Sequence, residues 1–382
     1  MPSPSEELQQ LQADGLLRRL IPLDSGAGPQ VSRGGKPLWN FASNDYLGLA
    51  RHPEIEAALI EGVQRFGAGA AASRLVCGTL PPHQPLEAAL AQAKQSEAAL
   101  VFASGFATAL GVIPAVVGKA DFIVLDKLSH ACLVDGARLS GATLRVFPHN
   151  DLHKLARLLA GIRAKAPRAR ILVATESVFS MDGDLCPLRD IVQLVEAHDA
   201  LLLLDEAHGF GVLGKSGMGL ADQEHLQQRV TFQMGTLSKA AGLSGGYIAA
   251  SRQWIDLLVN RARSFIYSTA QPPAIAHAAL TALRLIGSAD GHARRATLRE
   301  HISLLGNFPT PILPILRGTN ESALAAAADL ADAGLLVPAI RFPTVPRGTA
   351  RLRVSVSAAH PPAAVAALAA ALRQITPVEP AP

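Results

Sequence analysis

Short apolar runs set apart by amphipathic stretches constrain the fold of this chain more than any other feature. Such runs lie at residues 99–102, 122–125, 144–147, 171–175, 201–204, 230–234 and 247–250, and all but 144–147 and 230–234 show little polar alternation. A strand without a polar face has to be covered on both sides, as in a parallel sheet between two helix layers. The intervening segments supply such helices, with apolar residues at helical spacing over 53–66, 86–93, 107–117, 152–164 and 188–198. The alternation predicts an α/β fold with a mainly parallel sheet and helices on both faces. Helices at 322–333 and 362–375 with a strand at 351–357 predict a smaller C-terminal α+β domain. An amphipathic helix is expected over 5–20, ending at Arg18-Arg19. The expected division is an N-terminal helix and arm at 1–45, a large α/β domain at 46–286 and a C-terminal domain at 287–382. The boundary is a loop at 287–291.

Composition narrows the function classes. Hydrophobic residues are 49% and charged ones 17% of 382, which suits a folded globule rather than a disordered chain. The net charge is only +4 and the basic residues are scattered, so nucleic acid is not the expected partner, while an anionic small molecule is compatible. Cys77, Cys132 and Cys186 form no C-x-x-C pair. Neither a disulfide framework nor a metal site is suggested, which fits a reducing cytoplasm. The first residues lack the basic and apolar regions of a signal peptide, and charge, Gly or Pro interrupts every apolar stretch before membrane-spanning length.

Ligands of open α/β sheets bind beyond the carboxyl ends of the strands, and the informative polar residues fall there. Residues 171–175 run into Glu176, Ser177 and Ser180, residues 201–204 into Asp205-Glu206-Ala207-His208, and residues 230–234 into Thr236-Leu237-Ser238-Lys239. Lys239 alone reads as a surface lysine. Beside these converging strand ends its amine can be desolvated and can act as a Schiff-base nucleophile.

A rival reading comes from Gly209-Phe-Gly-Val-Leu-Gly214-Lys215-Ser216, which matches the phosphate-cradling pattern of a P-loop ATPase. In that architecture the magnesium-binding acid lies on a different strand from the loop, and the loop opens a helix. Here the acids and the glycines follow one strand, and Gly217 and Gly219 disfavour a helix.

The motifs taken together resemble the α-oxoamine synthase family of pyridoxal-phosphate enzymes, within the aspartate-aminotransferase-like fold (fold type I). They run from Asn40-Phe-Ala-Ser-Asn-Asp-Tyr-Leu-Gly48 through Ser104-Gly105-Phe106, Asp126-Lys-Leu-Ser-His130, Glu176 to Asp184, Asp205 to His208 and Gly235 to Lys239, and end in Arg351-Leu-Arg353 and Ser357-Ala-Ala-His360. One departure is Gly67-Ala-Gly-Ala-Ala-Ala-Ser-Arg74, where the family more often has further glycines and the added Cβ atoms restrict the backbone.

The resemblance implies that pyridoxal 5'-phosphate is held covalently by Lys239, which then serves as proton base. It implies that Asp205 partners the pyridine nitrogen, His130 covers one face of the ring, and His208 with Ser180 reaches its phenolic oxygen. The phosphate falls to Ser104, Gly105, Phe106, Thr236 and Ser238, with Thr269 reaching it from the neighbouring subunit of a homodimer with shared sites. Arg353 would hold the amino acid's carboxylate through a planar fork, and Arg18, Thr344 and His130 would meet substrate. Arg351 reads as solvated. Glu176 supports the site, and Asn44 and Tyr46 line the substrate channel.

Val146-Phe-Pro-His-Asn-Asp151 and Ala339-Ile-Arg-Phe-Pro-Thr-Val-Pro346 point to a biotin-pathway member. Such a member joins L-alanine to a pimeloyl thioester, carried on coenzyme A or on acyl-carrier protein, with loss of carbon dioxide and release of the thiol. The cofactor motifs do not separate this from another α-oxoamine synthase, such as a glycine C-acetyltransferase.

Overall fold

A computed structural model describes residues 2–375. Met1 and residues 376–382, the two extremes of the expected terminal domains, lie outside the described residues. The chain forms two compact units, one of Leu49–Ser180 with Asp184–Arg295, the other of Met1–Gly48 with Met181–Gly183 and Ala296–Pro382.

The larger unit is built on a 7-stranded sheet. From one edge the strands are Ala98–Phe102, Gly246–Ala250, Phe232–Thr236, Leu201–Asp205, Ile171–Glu176, Phe122–Asp126 and Thr143–Phe147. Gly246–Ala250 pairs antiparallel with both its neighbours, and the other pairings are parallel. The apolar runs of the sequence are these strands, each within two residues of its expected bounds. Leu100, Phe102, Leu125, Leu172, Leu203, Phe232 and Ile248 are buried in one core with Val112, Ile113 and Leu133 from the helices Gly105–Val116 and Ala131–Ser140. Small residues permit close packing elsewhere. Between the helices Pro53–Phe66 and Pro273–Gly287, a Cβ on Gly62 would stand 2.8 Å from the Ala274 backbone.

The expected boundary loop is corrected. The segment 287–291 is not a loop: the helix Pro273–Gly287 is followed, after Ser288 alone, by the helix Ala289–Leu305. Gly291 is needed there because a Cβ would collide with the Ile286 carbonyl at the junction. In the Ala-rich segment after Gly67, Ala71 takes φ 57°, a left-handed conformation that a Cβ disfavours.

In the smaller unit, Gln30–Arg33 and Lys36–Asn40 form a hairpin, joined on its far side by Leu335–Leu336. A second sheet has the order Ile312–Gly318, Ala350–Ser355, Ala339–Ile340, all antiparallel. The N-terminal helix is Pro4–Ala13 and stops short of the expected residue 20. Gly15 adopts φ 65°, the left-handed turn that ends helices, and Leu16 and Leu17 fold back so that both amides donate to the Leu11 carbonyl.

Candidate active site

The carboxyl ends of adjacent strands in the larger unit open onto a cavity of about 260 Å³. Its lining comes from the Ser104–Phe106 turn, the His130 loop and the ends of the strands bearing Glu176, Asp205 and Thr236, with His208 and Lys239 beyond them. The volume lies just under the usual range for drug-sized ligands, about 300–1,000 Å³, and suits a compact ring compound. A larger open cleft of about 790 Å³, bordered by Gln95–Glu97, Gln228 and Trp254, lies at the amino ends of the strands, where α/β sheets do not place their chemistry.

Lys239 follows the strand Phe232–Thr236 on a turn made by Gly242, whose φ is 70°; a Cβ there would collide with the Ala50 backbone nitrogen. Its Nζ lies 2.8 Å from His208 Nε2. Asp205, 4% exposed, ends the neighbouring strand, and its Oδ1 accepts the Ala207 N–H at 2.9 Å. Glu176 is its register partner on the next strand, so two carboxylates end side by side. Burial drives the Asp205 carboxyl above its ordinary value, opposed by Lys239, the Ala207 N–H and His130. Burial and the Asp205 charge push Glu176 up to about 8, opposed by Lys239 and the N–H groups of His130 and Ser180.

His130 caps the helix Ala131–Ser140, its Nδ1 accepting the Cys132 N–H at 3.2 Å, while its own N–H donates to Glu176 Oε1 at 2.6 Å. His130 is an exposed residue whose ring borders the cavity. Desolvation holds it below the ordinary histidine value, with Asp205 opposing. With Nδ1 taken up by the Cys132 N–H, the neutral form of the ring carries its proton on Nε2.

An anion-ready edge completes the cavity. Ser104 begins the helix Gly105–Val116, its Oγ accepting the Ala107 N–H at 3.1 Å, so the helix N-terminus lies at the cavity. Thr236 Oγ1 donates to the Gly245 carbonyl at 2.8 Å, which leaves the Ser238 hydroxyl to donate to Thr236 across 2.7 Å.

Not every expected residue joins this cavity. Ser180 is buried in the loop after Glu176 and supports that carboxylate through its backbone N–H. Thr269, expected at the neighbouring subunit's phosphate, is joined to Ser73 by an isolated antiparallel backbone bridge. Arg18, Thr344 and Arg353 belong to the smaller unit. There Arg18 donates to Thr344 Oγ1 at 3.0 Å, so two residues matched to the same substrate are hydrogen-bonded across 326 positions of sequence. Arg353, 5% exposed, donates to Ser355 Oγ at 2.7 Å and Asn44 Oδ1 at 3.1 Å. Arg351 is not solvated: it is 6% exposed and paired with Asp182. Cys132 was missed as a lining residue; it follows His130 by two positions, and its place on the first turn of a capped helix was the available signal.

The glycine-rich 209–219 segment is no phosphate loop. Glu206 Oε2 and Oε1 accept the Leu220 and Ala221 N–H groups at 3.0 and 2.9 Å, and Asp222 Oδ2 accepts those of Ser216 and Met218 at 2.9 and 3.3 Å. Within the motif itself, the Ser216 N–H is taken by Asp222 and those of Gly209, Phe210, Gly211, Val212 and Leu213 donate to backbone carbonyls, so these amides do not converge on a phosphate, and Lys215 begins no helix.

The family model for aminotransferase class I and II matches residues 36–372. The chain belongs to this family, in its α-oxoamine synthase branch. Among similar α-oxoamine synthases, an 8-amino-7-oxononanoate synthase of Anaeromyxobacter sp. (strain K) is 48% identical, with 98% of this chain and 96% of that protein covered. One from Methylorubrum populi is 49% identical, covering 98% and 94%. In structure, a serine palmitoyltransferase of Sphingomonas wittichii matches with a TM-score of 0.90 at 29% identity, covering 97% of this chain and 95% of that one. An 8-amino-7-oxononanoate synthase of Francisella tularensis matches at 0.76 and 26% identity, covering 88% and 98%.

Proposed function

We propose that the protein is a pyridoxal-phosphate-dependent acyltransferase of biotin synthesis. It condenses L-alanine with a pimeloyl thioester to give 8-amino-7-oxononanoate, carbon dioxide and free thiol. The observation that carries the chemistry is the grouping of a lysine amine, a buried acid and an anion-ready helix end around one cavity. The near-full-length likeness to 8-amino-7-oxononanoate synthases supports the choice of substrates.

The residues present fit the cofactor. Lys239 would hold it covalently, Asp205 would pair with its ring nitrogen, and Ser104, Gly105, Phe106, Thr236 and Ser238 would hold its phosphate. Bound there, the cofactor supplies an electron sink for negative charge at the amino acid's α-carbon. The His130 ring would cover one face of the site, and Glu176 would fix that ring through the His130 N–H. The amine of Lys239, once displaced by alanine, takes the α-proton onto Nζ, with His208 Nε2 placed at 2.8 Å to share it. Ser180 supports Glu176. In the smaller unit, Arg353 takes the alanine carboxylate, and Arg18 and Thr344 take the acyl donor, which is either a coenzyme A or a carrier-protein thioester.

The working form is proposed to be a cytoplasmic homodimer in which Thr269 serves the partner's phosphate. Tyr267, 71% exposed, and Val76, 78% exposed, give that region an apolar surface suited to a subunit contact. The described residues contain no helix long and apolar enough to cross a membrane.

Incubation with alanine or glycine and a panel of acyl thioesters tests the proposal. Carbon dioxide release with alanine and pimeloyl thioester is expected; release only with glycine and acetyl donors would redirect the assignment to a glycine C-acetyltransferase.

A further inference from the structure

His149 takes no part in the chemistry above, yet it sits within a charge cluster directly behind the His130 loop. Asp126 ends the strand Phe122–Asp126 with a side chain that is 0% exposed. Its Oδ1 accepts the Leu128 N–H at 2.8 Å and faces His149 Nδ1 at 3.1 Å, and its Oδ2 accepts the Asn150 N–H at 2.9 Å. The other ring nitrogen, His149 Nε2, lies 2.7 Å from Asp184 Oδ2. Each ring nitrogen faces a carboxylate, and a carboxylate only accepts, so both nitrogens carry protons. Burial opposes that charge, but the hydrogen bonds and negative charges of Asp126 and Asp184 outweigh it and raise the imidazole to about 10.

Two loops that shape the cavity are tied at this ring. On one side, the turn 127–130 is held by the Leu128 N–H on Asp126 Oδ1, the Ser129 N–H on the Asp126 carbonyl and the Lys127 N–H on the Phe147 carbonyl. His130 is the last residue of that turn. On the other side, the loop between Glu176 and Cys186 is closed by the Phe179 N–H on the Asp184 carbonyl and the Cys186 N–H on the Ser177 carbonyl. The His149 ring also stands edge-on to Phe179, centroids 4.3 Å apart at 87°. Glu176, at the root of this second loop, receives the His130 N–H at 2.6 Å. The two loops therefore meet at Glu176 beside the cavity and at His149 behind it.

We propose that His149 is a positioning residue: by bridging Asp126 to Asp184 it locks the 127–130 turn to the 176–186 loop and so sets where the His130 ring lies over the cofactor site. The inference rests on the reading of His130 as the residue that covers the cofactor. His149 touches no reacting group. Without it, the buried Asp126 carboxylate keeps two backbone donors but loses its cation, and the turn is free to shift against Glu176.

The test uses holoenzyme and a double-mutant cycle with His149→Gln, His130→Ala and the pair together. His149→Gln is expected to lower kcat per bound cofactor on the order of tenfold, with KM for alanine little changed. It is also expected to alter the visible circular dichroism of the cofactor in the direction that His130→Ala does. In the His130→Ala background the same substitution should cost nothing further. Should His149→Gln fail to fold, Asp184→Asn removes one arm of the bridge at a half-exposed site and should show a smaller loss with the same dependence on His130. A purely structural role would lower the melting temperature but leave kcat per bound cofactor and the dichroism unchanged, which overturns the proposal. Additive losses in the double variant overturn it as well. If His130→Ala itself leaves turnover unchanged while wild-type enzyme binds cofactor, the reading of His130 fails, and this inference with it.

Discussion

At Ser104-Gly105 a helix begins beside a cavity and its first amides are placed to receive an anion. Between Gly209 and Gly219 a stretch with the letters of a phosphate loop turns its amides onto its own backbone carbonyls and onto Asp222, and Glu206 takes the next two, of Leu220 and Ala221. Both stretches follow carboxyl-terminal strand ends of the same sheet, and both are rich in small residues. They differ in what already occupies them. The second is closed by carboxylates of the chain, packed so tightly that a Cβ on Gly209 or Gly219 would collide with the Glu206 side chain. Lys94 lies beneath it with 0% exposure, its Nζ donating to the Met218 carbonyl at 2.6 Å. Burial pulls that ammonium below its ordinary value, and the charges of Glu206 and Asp222 oppose the shift. A motif therefore marks a site only where its donors still lack partners.

The contrast breaks first at Lys239. Lys239→Ala should abolish turnover, and borohydride treatment of the wild-type holoenzyme should fix the cofactor's mass to the Lys239 peptide but to no peptide containing Lys215. A label on Lys215 would reverse the roles of the two stretches.

Glu206 gives the next largest effect. Removing a buried carboxylate that holds two amides and faces a buried lysine costs about 3–5 kcal/mol, so Glu206→Ala should lower the midpoint of denaturant unfolding sharply. An unchanged midpoint would mean that the loop does not depend on its internal anion.

The open site differs in sign. Glu176 is raised from 4.5 to about 8, so the folded protein holds a proton there that the unfolded chain has released. Cofactor-free protein should lose stability as pH rises from about 4.5 to about 8, and should hold its full contribution from this group below that window. Bound pyridoxal phosphate, if its ring nitrogen pairs with Asp205 as proposed, should flatten the slope. Urea unfolding of both forms across this range measures it, and parallel profiles would argue against a cation in the cavity.

The smallest effect is expected at Lys215. Lys215→Ala should change stability by no more than about 0.5 kcal/mol and leave turnover intact. A matching equilibrium titration should find no ATP binding.

Much of the fold was legible because strand and helix periodicities are local. The leucine run before Asp205 can be nothing but a covered strand, and the residue after it must then sit at the ligand edge. Boundaries were less legible where a single conformation decided them. Gly15 ends the first helix through a left-handed turn, and Gly291 joins two helices where a loop was expected. Arg351 looked solvated because its partner, Asp182, is 169 positions away.

Sequence alone determined that polar residues at successive strand ends would be brought together, since the register of a parallel sheet places them there. It also determined the family, through the order of motifs along the chain. Tertiary structure alone decided which glycine-rich stretch stays open, which arginine is paired, and that His149 joins two loops behind His130. Those outcomes depend on which donors and acceptors from distant segments have already met, and no local pattern records that.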